Sequence, residues 1–225
     1  MEVKEGKTYL TVPHERGKLT FQYPFFKGYF GDIANAIEKA GLKKPNSSET
    51  ASLVYDAFNN PSGKYESEII DIMNNYWFGE FTGNLYLPKS NEEVNNGVII
   101  DNNPVIKNGK LIMNKNDLVK RLKENDSNVK FVQFGFKTGS QNLIELQKNP
   151  YIVARYGKEG AEKIAEISSK YKSNHYLWSF DSVDKEEVRM SALDGNWNLD
   201  DGLNVDGGNW DGDVSGNGRA FGIVK

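Results

Sequence analysis

Residues 194–218 constrain this chain more than any other stretch. Of those 25 residues, 18 are Asp, Gly or Asn, one is Ser, and none is Lys or Arg. Such residues favour turns over helix or strand, through side-chain–backbone bonds and positive φ. A run of this length stays disordered unless something anchors it. Anchors are present: Trp197 and Trp210 stand inside it, and Ala220-Phe221-Gly222-Ile223-Val224 follows it as the pattern of a final buried strand. The expectation is a long ordered loop system, pinned at intervals, with short polar side chains facing solvent. Loops held on a rigid scaffold are where binding concentrates.

The rest of the chain supplies that scaffold. Thr8 to Val12 and Lys18 to Tyr23 read as strands, with Pro13 and Gly17 marking the turn. Asp32 is placed to cap a helix carrying Ile33, Ala36, Ile37 and Ala40, ended by Gly41. A second helix follows Ser48, with Ala51, Val54, Tyr55 and Phe58 on one face, stopped by Pro61. A third carries Ile69, Ile72 and Met73 and runs into Tyr76-Trp77-Phe78. Asn108-Gly109, between Val105-Ile106-Lys107 and Lys110-Leu111-Ile112-Met113, is a strong hairpin signal. A polar helix from Asp117 to Glu124, a strand from Val129 to Phe136, and helices around Gln141–Gln147 and Lys158–Tyr171 come next. Tyr176 to Phe180 and Val188 to Met190 read as further strands. No repeat or long linker divides the chain, so one α+β domain over residues 1–225 is expected.

Composition removes several function classes. The chain has no cysteine, which excludes disulfides, thiol nucleophiles and thiolate metal sites. It has two histidines, His14 and His175, far apart and outside any recognisable triad. Net charge is -3, giving no global attraction for nucleic acid. No run approaches the roughly 18 apolar residues of a membrane span. Met1 to Gly6 is charged and lacks the apolar stretch of a secretory signal. A chain made as a soluble protein is expected, with later display on a virion or cell surface left open. Gly6-Lys7-Thr8 imitates a phosphate loop but lacks its earlier glycine.

Leu177-Trp178-Ser179, Val188-Arg189-Met190, Gly195-Asn196-Trp197-Asn198 and Arg219-Ala220-Phe221-Gly222 together resemble the C-terminal half of a C-type lectin fold. The branch is that of formylglycine-generating-type domains and the variable proteins of diversity-generating retroelements, and the likeness covers roughly residues 174 to 225. Here Phe221-Gly222-Ile223 stands where that branch closes on a Gly-Phe-Arg-like strand. The resemblance implies a C-type lectin fold with helical and β-hairpin insertions, whose N-terminal strands pair with the C-terminal ones. Formylglycine-generating enzymes use active-site cysteines, so that activity would be absent. In the variable proteins, adenine-directed mutagenesis turns AAY codons into Asn, Asp, Gly or Ser. Those four types account for 19 of the 25 residues of 194–218. Leu199, Leu203, Val205 and Val214 are also reachable from AAY and fit either the varied or the fixed set.

The resulting expectation is a non-catalytic binder without a cofactor, displaying 194–218 as hypervariable loops to an unknown protein or surface ligand. The ligand-facing residues would be Asp194, Asn196, Asn198, Asp200, Asp201, Asn204, Asp206, Asn209, Asp211, Asp213, Ser215 and Asn217, with Trp178, Trp197, Trp210 and Phe221 as scaffold. Short polar residues on a rigid frame are how antibody loops achieve adaptable hydrogen bonding. The alternative is a calcium-dependent carbohydrate-binding module or adhesin. Asp211, Asp213, Ser215 and Gly216 match the opening of a calcium loop, although Gly222 stands where the bidentate Glu belongs. A hydrolytic carboxylate pair would be a matter of distance rather than sequence.

Overall fold

A computed structural model of the chain describes residues 2–4, 7–173, 175–195, 202–209 and 216–225. The expected α+β class is what it shows: helices packed on a mixed sheet.

The N-terminal strands β1 (Glu2–Lys4), β2 (Lys7–His14) and β3 (Gly17–Gly28) form an antiparallel meander. Helices α1 (Phe30–Lys39), α2 (Ser47–Asn59) and α3 (Lys64–Asn75) follow. Asp32 lies in the first turn of α1 rather than at its cap, which is Tyr29. A carboxylate there still faces the positive end of the helix dipole. Asn46 caps α2, two residues before the expected Ser48, because it forms a reciprocal capping box with Glu49.

Strand β4 (Trp77–Leu87) is buried along its whole length, and its beginning replaces the expected continuation of the third helix. Trp77 and Phe81 pack beneath α1 with Phe30, Ile33 and Ile37, whereas Phe78 and Tyr86 face the main core with residues of α2, α3 and the later helices. A strand covered on both faces loses the polar alternation that reveals strands in sequence. The same holds for β5 (Gly97–Asp101), also wholly buried.

The middle contains the hairpin of β6 (Val105–Lys107) and β7 (Lys110–Ile112), α4 (Lys115–Lys123), β8 (Val129–Gln133), β9 (Gly139–Gln141), α5 (Leu143–Lys148) and α6 (Pro150–Ser168). The Asn108-Gly109 turn is as expected: both residues have positive φ. Helix α6 breaks at Gly157, whose φ of 71° suits glycine. The later half is the helix expected from Lys158.

The chain ends with β10 (His175–Trp178), β11 (Glu187–Gly195), β12 (Leu203–Asn209) and β13 (Gly218–Ile223). The sheet runs β1-β2-β3-β13-β4-β11-β12-β10-β9, and β5 and β8 branch from β4. One edge of β4 carries both β13, at Trp77 and Phe78, and β5, from Gly83 to Leu87. Between them Phe81 and Thr82 bulge out of the ladder with β11, where Met190 faces Gly83 and Ser191 faces Glu80. The bulge is held by the chain entering α2: the Phe81 amide donates to the Pro45 carbonyl at 2.9 Å, and the Ser47 amide donates to the Thr82 side chain, at Oγ1, at 3.0 Å. The last strand thus lies between the long N-terminal strand and the central one, drawing both ends of the sequence into one sheet.

Candidate binding face at the Asp/Gly/Asn-rich segment

Leu203 to Asn209 form a strand inside the segment that composition assigned to loops. Leu203 and Val205 alternate with polar residues, and both are fully buried. Each buried aliphatic side chain contributes about 1.5–3 kcal/mol, enough to outweigh the turn preference of the residues between them. β12 pairs antiparallel with β11 and parallel with β10. Its period of two divides it: Leu203, Val205 and Gly207 point into the core, and Asn204, Asp206 and Gly208 point the other way.

Beneath the inner face lies a buried polar cluster. Arg155 of α6 and Glu80 of β4, both fully buried, form an ion pair. Ser47 donates to Glu80 at 3.1 Å and accepts from Arg155 Nε at 2.9 Å, and Tyr156 Oη donates to Glu80 at 3.0 Å. Arg155 spends its other donors on main chain, at 2.8 Å to the Asp206 carbonyl and 3.0 Å to the Ala192 carbonyl. Tyr86 Oη donates to the Gly207 carbonyl at 2.9 Å, and Tyr151 Oη donates to Asn84 Oδ1 at 2.8 Å. Burial alone would lower the Arg155 pKa, but the carboxylate of Glu80 more than offsets it and leaves the guanidinium above its ordinary value. Burial pushes the Tyr156 and Tyr86 hydroxyls well above theirs, so both remain donors. Gly207 is required here, since a Cβ would collide with the Tyr151 hydroxyl.

On the outer face three of the expected site residues meet. Asn204 Nδ2 donates to Asp194 Oδ1 at 2.9 Å, and Trp178 Nε1 donates to Asn204 Oδ1 at 3.3 Å. Asp206 Oδ1 accepts from the Gly208 amide at 2.8 Å. Burial raises the Asp194 pKa to about 6, Asn204 opposes the rise and Asp206 adds to it. Tyr171 is raised by burial and by Asp194. Trp178 is 42% exposed and packs against Tyr176 with the ring centres 4.3 Å apart and the planes tilted by 37°.

Two expectations are corrected. Asn204 is buried rather than solvent-facing, at 9% exposure, because both ends of its amide are occupied between Asp194 and Trp178. Trp178 belongs to the exposed face rather than to the scaffold, because His175 and Leu177 take the inward positions of β10. Phe221 is scaffold as expected, 1% exposed and stacked on Phe78 at 6.1 Å. Asn217 is exposed in the turn before β13, and Asn209 ends β12. Asn196, Asn198, Asp200, Asp201, Asp211, Asp213 and Ser215 lie outside the described residues, as do Trp197 and Trp210. The calcium-loop match at Asp211 falls there too. Sequence reasoning passed over Arg155, Glu80, Tyr86 and Tyr151, whose partners lie far away in the chain and leave no local pattern.

Among the described residues, no three His, Asp or Glu side chains converge as a metal site would require. No described helix is long and apolar enough to cross a membrane. No protein-family model, curated protein or solved structure matches the chain.

Proposed function

We propose that this chain is a non-catalytic ligand-binding protein with a C-type lectin fold, which presents residues 194–218 as a surface diversified by a retroelement. The observation that carries the reading is the division of β12. The core reaches this strand through the Asp206 and Gly207 carbonyls and through the inward Leu203 and Val205. Outward side chains that are not themselves buried can therefore change while the strand keeps its place, Asp206 rather than Asn204. This is the arrangement a diversified protein needs: a fixed main chain with replaceable side chains. On this reading the buried Leu203 and Val205 belong to the fixed set.

The topology supports the same reading. The final strand β13 pairs with the N-terminal strand β3, and the resemblance implies such pairing of N-terminal with C-terminal strands. An exposed tryptophan beside short polar groups supplies apolar area together with adaptable hydrogen bonds.

The test is to sequence the 3′ end of the gene across many individuals of the source population. Substitutions should gather at 194–218, include Asp206, and spare Leu203, Val205 and Gly207. An invariant segment, or one whose inward positions vary as freely as its outward ones, sinks the proposal.

A further inference from the structure

Three side chains on the outer face of β12 have unequal hydrogen-bonding options. Asp194 stands opposite Asn204 in the β11–β12 ladder, one pair before its end at Gly195 and Leu203, and β10 pairs with Asn204 from the other side through Tyr176. Asn204 Nδ2 donates to Asp194 Oδ1 at 2.9 Å, and Asn204 Oδ1 accepts from Trp178 Nε1 at 3.3 Å. An ionised carboxylate only accepts and an indole only donates, so a single orientation of the Asn204 amide serves both. Asn204 is 9% exposed and sheltered from competing water, whereas Trp178, at the far end, is 42% exposed.

The carboxylate is the member whose charge changes under mild conditions. Burial raises the Asp194 pKa to about 6; Asn204 opposes the rise and Asp206 of β12 adds to it. Tyr171, beyond α6, is the other titratable group beside it, and burial together with Asp194 keeps that hydroxyl protonated. Lys172, next to Tyr171, is engaged by a partner of its own and does not act on Asp194. β4 brings only Glu80, already paired with Arg155 on the inner side, and α3 meets Tyr171 through the uncharged Asn74. Among the described residues, therefore, no cation holds this carboxylate ionised.

Protonation gives the carboxyl an O–H of its own. It then donates as well as accepts, so it no longer dictates which end of the amide faces it, and the bond to Nδ2 falls to about half its strength as the charge is lost. A turned amide would set its NH2 against the indole N–H, donor against donor. We propose that Asp194 is a proton-operated latch for Trp178: its ionised carboxylate fixes the Asn204 amide so that the amide holds the indole on β12, and acidification releases it. The consequence for ligands is a tryptophan kept in one pose at neutral pH and freed from it in acid. That consequence rests on the reading of this face as the binding surface, whereas the coupling itself does not.

The experiment follows the indole N–H signals of the full chain, 15N-labelled at tryptophan, from about pH 4 to about pH 8. Only four tryptophans are present, and Trp178→Phe identifies the signal of interest. Trp77, buried beneath α1 on the other side of the molecule's central strand from the main core, is an internal control. The Trp178 signal should move toward the position of a free indole as pH falls, with its midpoint at about 6, while Trp77 stays in place. Asp194→Asn keeps the shape of the side chain without its titration and should abolish the movement. Asp206→Asn should preserve it with a lower midpoint, because Asp206 adds to the rise. Asn204→Ala should silence Trp178 while the Asp194 carboxyl carbon still titrates. A Trp178 signal that is flat across the range overturns the latch, as does one that titrates unchanged in Asp194→Asn or Asn204→Ala. Loss of the titration in Asp206→Asn would assign the proton to Asp206 and overturn it too. None of these results touches the substitution pattern in the gene, so the latch and the diversified surface fail separately.

Discussion

The two faces of β12 are organised on opposite principles. On the inner face the long side chains of Arg155 and Tyr86 donate to main-chain carbonyls of the strand. On the outer face Asp194, Asn204 and Trp178 hold one another through side-chain groups alone. A tether to main chain is indifferent to which residue it holds, whereas a side-chain relay is specific to its members. The inner tether explains how a strand whose intrinsic preferences run against β-structure can be ordered, and the relay predicts that Asn204 tolerates exchange less well than Asp206, the next outward residue.

The comparison breaks most severely at the ion pair. Arg155→Met leaves Glu80 without its counter-charge and strips donors from the Asp206 and Ala192 carbonyls. The expected loss is about 3–5 kcal/mol in urea denaturation, the range for breaking one side of a buried pair. Amide exchange should also accelerate at Val205 and Gly207 more than along β13. Uniform acceleration would mean the cluster stabilises the fold generally rather than tethering β12.

Next in size is Gly207→Ala, which drives a methyl group against the Tyr151 hydroxyl. Overpacking of this kind costs about 1–3 kcal/mol. Its neighbour Gly208 meets nothing closer than 3.8 Å, so Gly208→Ala should be mild. Equal effects from the two would erase the inward–outward division.

How much of this was legible in sequence depended on whether a signal was local. The helices around Ile33, Val54 and Ile72 came from apolar spacing, and the hairpin from Asn108-Gly109, because those patterns lie within a few residues. β4 and β5 escaped because burial on both faces removes alternation. β12 did carry alternation, in Leu203-Asn204-Val205-Asp206, but the surrounding Asp and Gly masked it. Of the expected ligand-facing residues, Asp194, Asn204 and Asp206 lie together on one side of β11 and β12, but Asn204 is buried there rather than solvent-facing, which composition could not show. The pair beneath them, Arg155 and Glu80, is 75 residues apart in sequence, and no periodicity reports such a contact.

The outer relay can be sharpened by pH. The Asp194 pKa lies at about 6, above its ordinary 3.8, so the folded state holds that proton more tightly than the unfolded state does. Its contribution is least unfavourable below pH 3.8, and the folded state loses stability as pH rises toward 6 and beyond. Asp194→Asn should therefore remove a pH-dependent loss of about 1–2 kcal/mol, allowing for partial exposure to solvent, between pH 4 and pH 7. The comparison is of urea midpoints for the two proteins across that window. Parallel profiles would show that Asp194 titrates alike in both states and that the relay does not desolvate it.

The smallest expected effect bears most directly on diversification. Asp206→Asn keeps an acceptor for the Gly208 amide, and the Arg155 donor continues to find the residue-206 carbonyl. The change should shift stability by about 0.5 kcal/mol or less, as outward substitutions commonly do. Asp206→Ser and Asp206→Tyr test the same point with different size, and thermal melting of all three should stay close to the parent. Val205→Asn, one residue away and inward, buries an amide where the core is apolar and should reduce stability by several kcal/mol. A gap between adjacent positions of one strand would be the thermodynamic counterpart of the substitution pattern sought in the gene. Had Asp206→Tyr cost as much as Val205→Asn, the outer face would tolerate change no better than the core does, and diversification could not work through it.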